Sequence, residues 1–210
     1  MGFITQEQMM ELLGKCYEGA VNGVPGSKSC EELANDYLEK YPTPEAAARK
    51  FISYQVAKCS TSGFVTGFGG FITMPVTIPA NLASVIYVQM RMIATIAYMG
   101  GYDVHSDQVQ TLGYLCLVGS SITDICKSAG VKVANKLTIS MLKKLPGKVL
   151  TKINQKVGFR LVTKFGEKGI VNLVKLVPVA GAVVGAGVDF AGTKIIAEKA
   201  YRTFFLNELD

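Results

Sequence analysis

Apolar residues recur at helical spacing along most of the chain, and no segment alternates in the way a half-buried strand requires. In residues 5–20, Met9, Leu12, Leu13, Cys16 and Ala20 line one face of an amphipathic helix. A loop, GVPGSKS, follows, and Ser29 with Glu32 forms a capping box that opens a short helix through about Lys40. Thr43 then predicts an N-cap with Pro44 at the first helical position, starting a third helix. That helix runs into residues 59–90, which contain no Asp, Glu, Lys, Arg or His. Pro75 and Pro79 break the uncharged stretch into a hairpin, because proline removes a donor and biases the preceding residue away from α. From Pro79 a long helix is predicted through about Met99, stopped by Gly100-Gly101. After the turn GGYDVHSD, Ser106 or Asp107 caps an apolar helix over 108–126.

Beyond Val131 the texture changes. In VKVANKLTISMLKKL, Ala134, Leu137, Met141 and Leu145 share one face while Lys132, Lys136 and Lys143 lie on another. After Pro146-Gly147, Leu150, Ile153, Val157 and Leu161 form an apolar stripe, and Lys148, Lys152 and Lys156 step along a separate face. Two basic amphipathic helices in series are therefore predicted. A short helix after Gly169 and a final one from Pro178 through about Phe205 complete an all-α chain.

Glycine suggests how these pieces pack. Gly63 and Gly67 lie one helical turn apart before the prolines, and Gly181 and Gly185 repeat that spacing near the C-terminus. Small residues at that spacing let helix backbones approach closely. The expected architecture is a compact multi-helix bundle around two apolar glycine-rich segments, the proline-broken hairpin and the C-terminal helix. Residues 1–43 would pack on a domain spanning 44–210. Arg91 and Asp189 are isolated charges in the two apolar helices, and a buried charge needs a partner or water. They are candidates for an ion pair completed by Gln89 or Thr193. Reaching solvent at the ends of the buried zone, or binding a lipid phosphate, are the alternatives.

Composition sharpens the picture. The 210 residues suit one domain, 49% are hydrophobic and only 18% charged, and tryptophan is absent. Spanning a bilayer takes about 20 apolar residues, yet Arg91 and Asp189 arrive within about a dozen residues of Pro79 and Pro178. A compact domain is thus expected over a stable span. Five cysteines without C-x-x-C spacing predict reduced, mostly buried thiols rather than disulfides or zinc. The start MGFITQEQMMELL lacks the pattern of a signal peptide, and Gln6 stands where myristoylation needs Ser or Thr, so an intracellular location is expected.

Charge is distributed unevenly. Residues 127–175 hold twelve Lys and Arg against one acid, Glu167, which is +11 and leaves −5 for the remainder of a chain whose total is +6. So concentrated a basic stretch points to an anionic partner or to a solvated helix face. Nucleic acid is disfavoured, since the segment lacks interleaved aromatics and a helix-turn-helix signature.

No catalytic constellation emerges. Gly67-Phe68-Gly69-Gly70 lacks the spacing and context of a phosphate-binding loop. His105, the only histidine, sits on a polar turn between Asp103 and Asp107, with no second histidine for a metal and no nucleophile elbow for a triad. No cofactor and no enzymatic activity are expected.

Three ordered motifs, GFGGFITMPVTIP, QMRMIATIAYMGGYD and VPVAGAVVGAGVDFAGTK, with a basic helical segment between the second and third, resemble the EcsC family of bacterial proteins. The resemblance covers roughly residues 45–205. The family often carries an acidic residue between the two prolines, where Thr77 stands here. Its namesake comes from an operon encoding an ABC transporter that affects secretion and processing. The resemblance therefore implies an all-helical, membrane-related protein, and supplies no reaction. With the basic segment, it leads to the expectation of a protein peripheral to the inner face of the cell membrane. Docking on anionic phospholipid and accessory to a transporter or secretion component, it would use Lys132, Lys136, Lys143, Lys148, Lys152 and Lys156. A soluble carrier enclosing an apolar ligand and a pore-forming protein are the rival readings.

Overall fold

The computed structural model describes residues 4–59, 80–119, 122–132, 138–165 and 183–209, and for residues 59, 80–81, 165 and 183–191 the helical backbone alone. Among the described residues there are nine α-helices and no strand. They are α1 Gln6–Asn22, α2 Cys30–Leu38, α3 Pro44–Cys59, α4 Ala80–Met99, α5 Asp107–Val118, α6 Ile122–Ser128, α7 Ile139–Lys143, α8 Gly147–Phe165 and α9 Val183–Leu206. The all-α expectation is met.

Local signals place most helix starts. The Ser29 hydroxyl accepts from the Glu32 amide at 3.1 Å, and the Glu32 carboxylate accepts from the Ser29 amide at 2.9 Å, which closes the expected capping box. Thr5 and Gln8 make a second such box at the head of α1. Thr43 accepts from the Ala46 amide at 3.2 Å, with Pro44 inside the first turn. At the end of α4, Gly101 adopts φ 78°. The amide of Tyr102 reaches the Ala97 carbonyl at 3.1 Å while that of Gly101 reaches Tyr98 at 2.9 Å, the paired bonds of a glycine-terminated helix.

Two expectations need correction. The apolar run 108–126 is not one helix: α5 ends at Gly119, which takes the left-handed φ of 69°, and α6 begins at Ile122. Nor does the first basic segment form a helix from Val131. Gly130, at φ 89°, ends α6 with bonds from Val131 to the Cys126 carbonyl and from Gly130 to that of Lys127, both at 3.0 Å. Thr138 is extended and caps α7 through the Met141 amide, so among the described residues of this segment the helix is Ile139–Lys143. Thr138 is favoured as a cap because its hydroxyl competes with the helix ladder. Lys132 consequently sits in irregular backbone, and Lys136 lies outside the described residues.

α4 is the hub. It packs against α1, α2, α3, α5 and α9, and its Ile86, Tyr87, Met90, Ile93, Ile96 and Ala97 are almost fully buried. Its segment Leu82–Met99 is long and apolar enough to cross a membrane by length and composition, and 78% of it is buried within the protein. A core helix carries the same composition. α1 lies between α4 and α8, giving Met9, Leu12, Leu13 and Cys16 to the shared core. α8 packs on α1, α5 and α6. Across the α1–α8 contact a Cβ on Gly158 would stand 2.8 Å from Met10 Sδ, and the Gln6 side-chain Nε2 donates to the Gln155 backbone carbonyl at 2.9 Å. α9 packs on α3, α4 and α5, so helices from both sides of the 60–79 segment lie against it. Gly63, Gly67 and Gly181 lie outside the described residues, and Gly185 is described only as backbone of α9.

Candidate functional site

Two groups of polar side chains were singled out by sequence, and the structure gives them separate surroundings. The first concerns the buried helices. Gln89 on α4 donates through Nε2 to Thr193 Oγ1 on α9 at 3.4 Å, and both residues are buried. Arg91, two positions further, turns elsewhere: its Nη2 donates to the Lys28 carbonyl at 2.8 Å, fastening α4 to the loop between α1 and α2. Residues two apart on a helix point in directions about 200° apart, which is why neighbours in sequence serve different neighbours in space. The Arg91 Nε is buried without a hydrogen-bond partner among the described residues, beside a crevice of about 10 Å³, room for one water. Asp189 belongs to α9, and its side chain lies outside the described residues.

The second group is the basic surface. α8 is amphipathic because its apolar positions repeat every three or four residues, and Leu150, Ile153, Val157 and Leu161 are buried against its neighbours. On its outer side Lys148, Lys152 and Lys156 are exposed, and among the described residues none pairs with a carboxylate. α8 contains no acidic residue. Lys132 is exposed in irregular backbone. Lys143 is exposed at the end of α7, with Nζ 4.1 Å from the Tyr102 ring centroid, a cation–π contact that holds it against the α4–α5 turn. The Lys164 ammonium lies about 4 Å from where a Cβ on Gly119 would be, beside the carbonyl end of α5 that favours a cation. The residue as a whole is exposed, and desolvation of its ammonium lowers its pKa from the ordinary lysine value. The six lysines named from sequence thus divide into three on one face of α8, two on the preceding segments and Lys136.

Sequence reasoning overlooked one member of this surface. Phe159 is 61% exposed, the most exposed large hydrophobic side chain among the described residues. The signal was present in the spacing, since Phe159 follows Lys156 by three positions and Lys152 by seven, both of which return to the same side of a helix.

Burial pushes the Cys16 and Cys30 thiols up to about 12 and that of Cys116 to about 11, so none is a ready nucleophile. His105 is exposed, with Nε2 3.3 Å from Glu31 and its backbone amide donating to Asp103 at 2.9 Å. Among the described residues no three His, Cys, Asp or Glu side chains are grouped as metal ligands.

The model of the EcsC protein family matches residues 4–206, a span that takes in α1 and α2 as well as the segment carrying the motifs. Among curated proteins and among solved structures there is no match.

Proposed function

The chain belongs to the EcsC protein family, and from that premise we propose that it is a non-enzymatic protein that docks on anionic membrane surfaces, as an accessory to a transport or secretion system. The single observation that carries the reading is the outer face of α8, where Lys148, Lys152 and Lys156 stand exposed, unpaired among the described residues, on a helix without acids. Each Lys or Arg held near an anionic bilayer contributes about 1 kcal/mol, so three on one face supply a binding energy that salt would weaken. The opposite face of α8 is committed to the core, which presents the lysines outward as a fixed array rather than as a flexible tail. This docking face is available from the cytoplasmic leaflet, where anionic lipid is concentrated.

Flotation with phosphatidylcholine vesicles, with and without phosphatidylserine, tests the reading. The expected result is flotation only with the anionic vesicles, abolished at high salt and in the triple variant Lys148→Glu, Lys152→Glu, Lys156→Glu. A folded protein that ignores both kinds of vesicle would overturn it.

A further inference from the structure

The lysine array has an apolar centre. With about 100° per residue, Lys148, Lys152 and Lys156 spread over a sector of about 80° around α8, and Phe159 falls inside that sector. Leu150, Val157 and Leu161, which face the core, project to the other side of the helix. Phe159 therefore contributes nothing to the interior from its place on the helix, and most of its ring meets water. Two other exposed apolar side chains, the next most exposed, have different settings. Tyr54 lies under the Lys58 ammonium, 5.1 Å from its ring centroid, and Ile195 shares its surface with both signs of charge, Lys194, Glu198 and Arg202. Phe159 alone of these three stands on a helix without acids, in the sector that its own lysines occupy.

We infer that Phe159 is an insertion anchor: when the lysines meet the phosphates of an anionic bilayer, its ring passes between the headgroups into the acyl boundary. The inference rests on the docking reading and adds to it a second, apolar component of binding. An apolar side chain amid cations matches the layered chemistry of a bilayer surface, negative outside and hydrocarbon just beneath, with helices of this kind lying in the interface plane. Lysine stems extend alongside the ring while their ammonium groups stay with the phosphates. Transfer of the ring from water accounts for a loss of about tenfold or more in affinity when it is removed.

The absence of tryptophan from the chain supplies the probe. Phe159→Trp would be the sole indole, and Ile195→Trp, on the mixed-charge surface of α9, its control. With vesicles of phosphatidylcholine and phosphatidylserine, Phe159→Trp is expected to shift its emission to the blue and to be quenched by bromine carried on the acyl chains. Ile195→Trp should do neither. Phe159→Ala should bind such vesicles about tenfold more weakly while remaining salt-sensitive, and Phe159→Leu should recover most of the loss. If the wild-type chain floats but Phe159→Trp is not quenched, the anchor is wrong and the docking reading survives. Equal quenching of both indoles would overturn the anchor as well. A chain that does not float, or a Phe159→Trp emission that responds to single-stranded RNA and not to vesicles, would sink both.

Discussion

The Gln89 amide and the Thr193 hydroxyl meet 3.4 Å apart in the buried interface between α4 and α9, 104 positions apart in the chain. Polar groups buried there are matched to each other, so removing one takes from the second a partner that it holds in the folded protein. Thr193→Val should destabilise the protein by about 1–3 kcal/mol, whereas Gln89→Leu combined with Thr193→Val should recover part of that loss. Urea unfolding of the two single variants and the double variant checks the coupling; strictly additive effects would show that the contact carries no energy.

Glycines in the same bundle should respond to alanine with opposite signs. A Cβ on Gly100 would lie 2.9 Å from the Phe204 carbonyl oxygen, so Gly100→Ala forces the backbones of α4 and α9 apart and should cost about 1–3 kcal/mol. Gly14 lies within α1 with nothing within 4 Å of its would-be Cβ. Gly14→Ala should therefore stabilise by about 0.5–1 kcal/mol through helix propensity. Thermal midpoints of the two variants, moving in opposite directions, are the measurement.

Alkaline pH should unfold the chain before it unfolds a comparable protein without buried thiols. Cys16, Cys30 and Cys116 rise from the ordinary thiol value of 9.0 to about 12, 12 and 11 because burial penalises the thiolate. Between 9 and those values the unfolded chain releases protons that the folded chain retains, so stability is full below about pH 9 and falls as pH rises through the folded values. The lowered pKa of Lys164 acts in the opposite sense just below the ordinary lysine range, where the folded chain gives up its proton first. Urea midpoints should drop from pH 8 to pH 11, less steeply for Cys16→Ala than for the wild type. An unchanged slope in that variant would remove the Cys16 thiol from the account.

Single replacements on the outer face of α8 should weaken vesicle binding in equal steps. Lys148→Gln, Lys152→Gln and Lys156→Gln should each cost about 1 kcal/mol, about fivefold in affinity, and their combination should leave a much flatter dependence on salt. Lys164→Gln should differ, with little effect on vesicle binding, because its ammonium lies beside the carbonyl end of α5. Binding isotherms across a salt series separate the two kinds of lysine.

Signals confined to a few adjacent residues were readable without coordinates. Ser29 and Glu32 close their capping box, Thr43 and Pro44 start α3, and Gly100-Gly101 ends α4. Gly119 and Gly130 carried the same letter without the same clarity, since a glycine inside an apolar run reads equally as a tolerated interior residue or a left-handed stop. Thr138 was misread for a related reason: the lysine and apolar periodicity continued through it, while its hydroxyl was free to cap instead. The acceptor of Arg91 was beyond any local reading, being the main-chain carbonyl of Lys28, 63 positions earlier. Phe159 was legible by its spacing from Lys152 and Lys156. It was overlooked because aromatic residues are expected inside.

Because α1 lies between α4 and α8, the first helix of the chain is the floor on which the lysine helix rests. A push on α8 from outside would reach the hub of the bundle by way of Met10 and its neighbours at Gly158, with no direct route needed. Trimming the N-terminal segment would thus leave the charges of α8 in place on paper and without a foundation in the folded molecule.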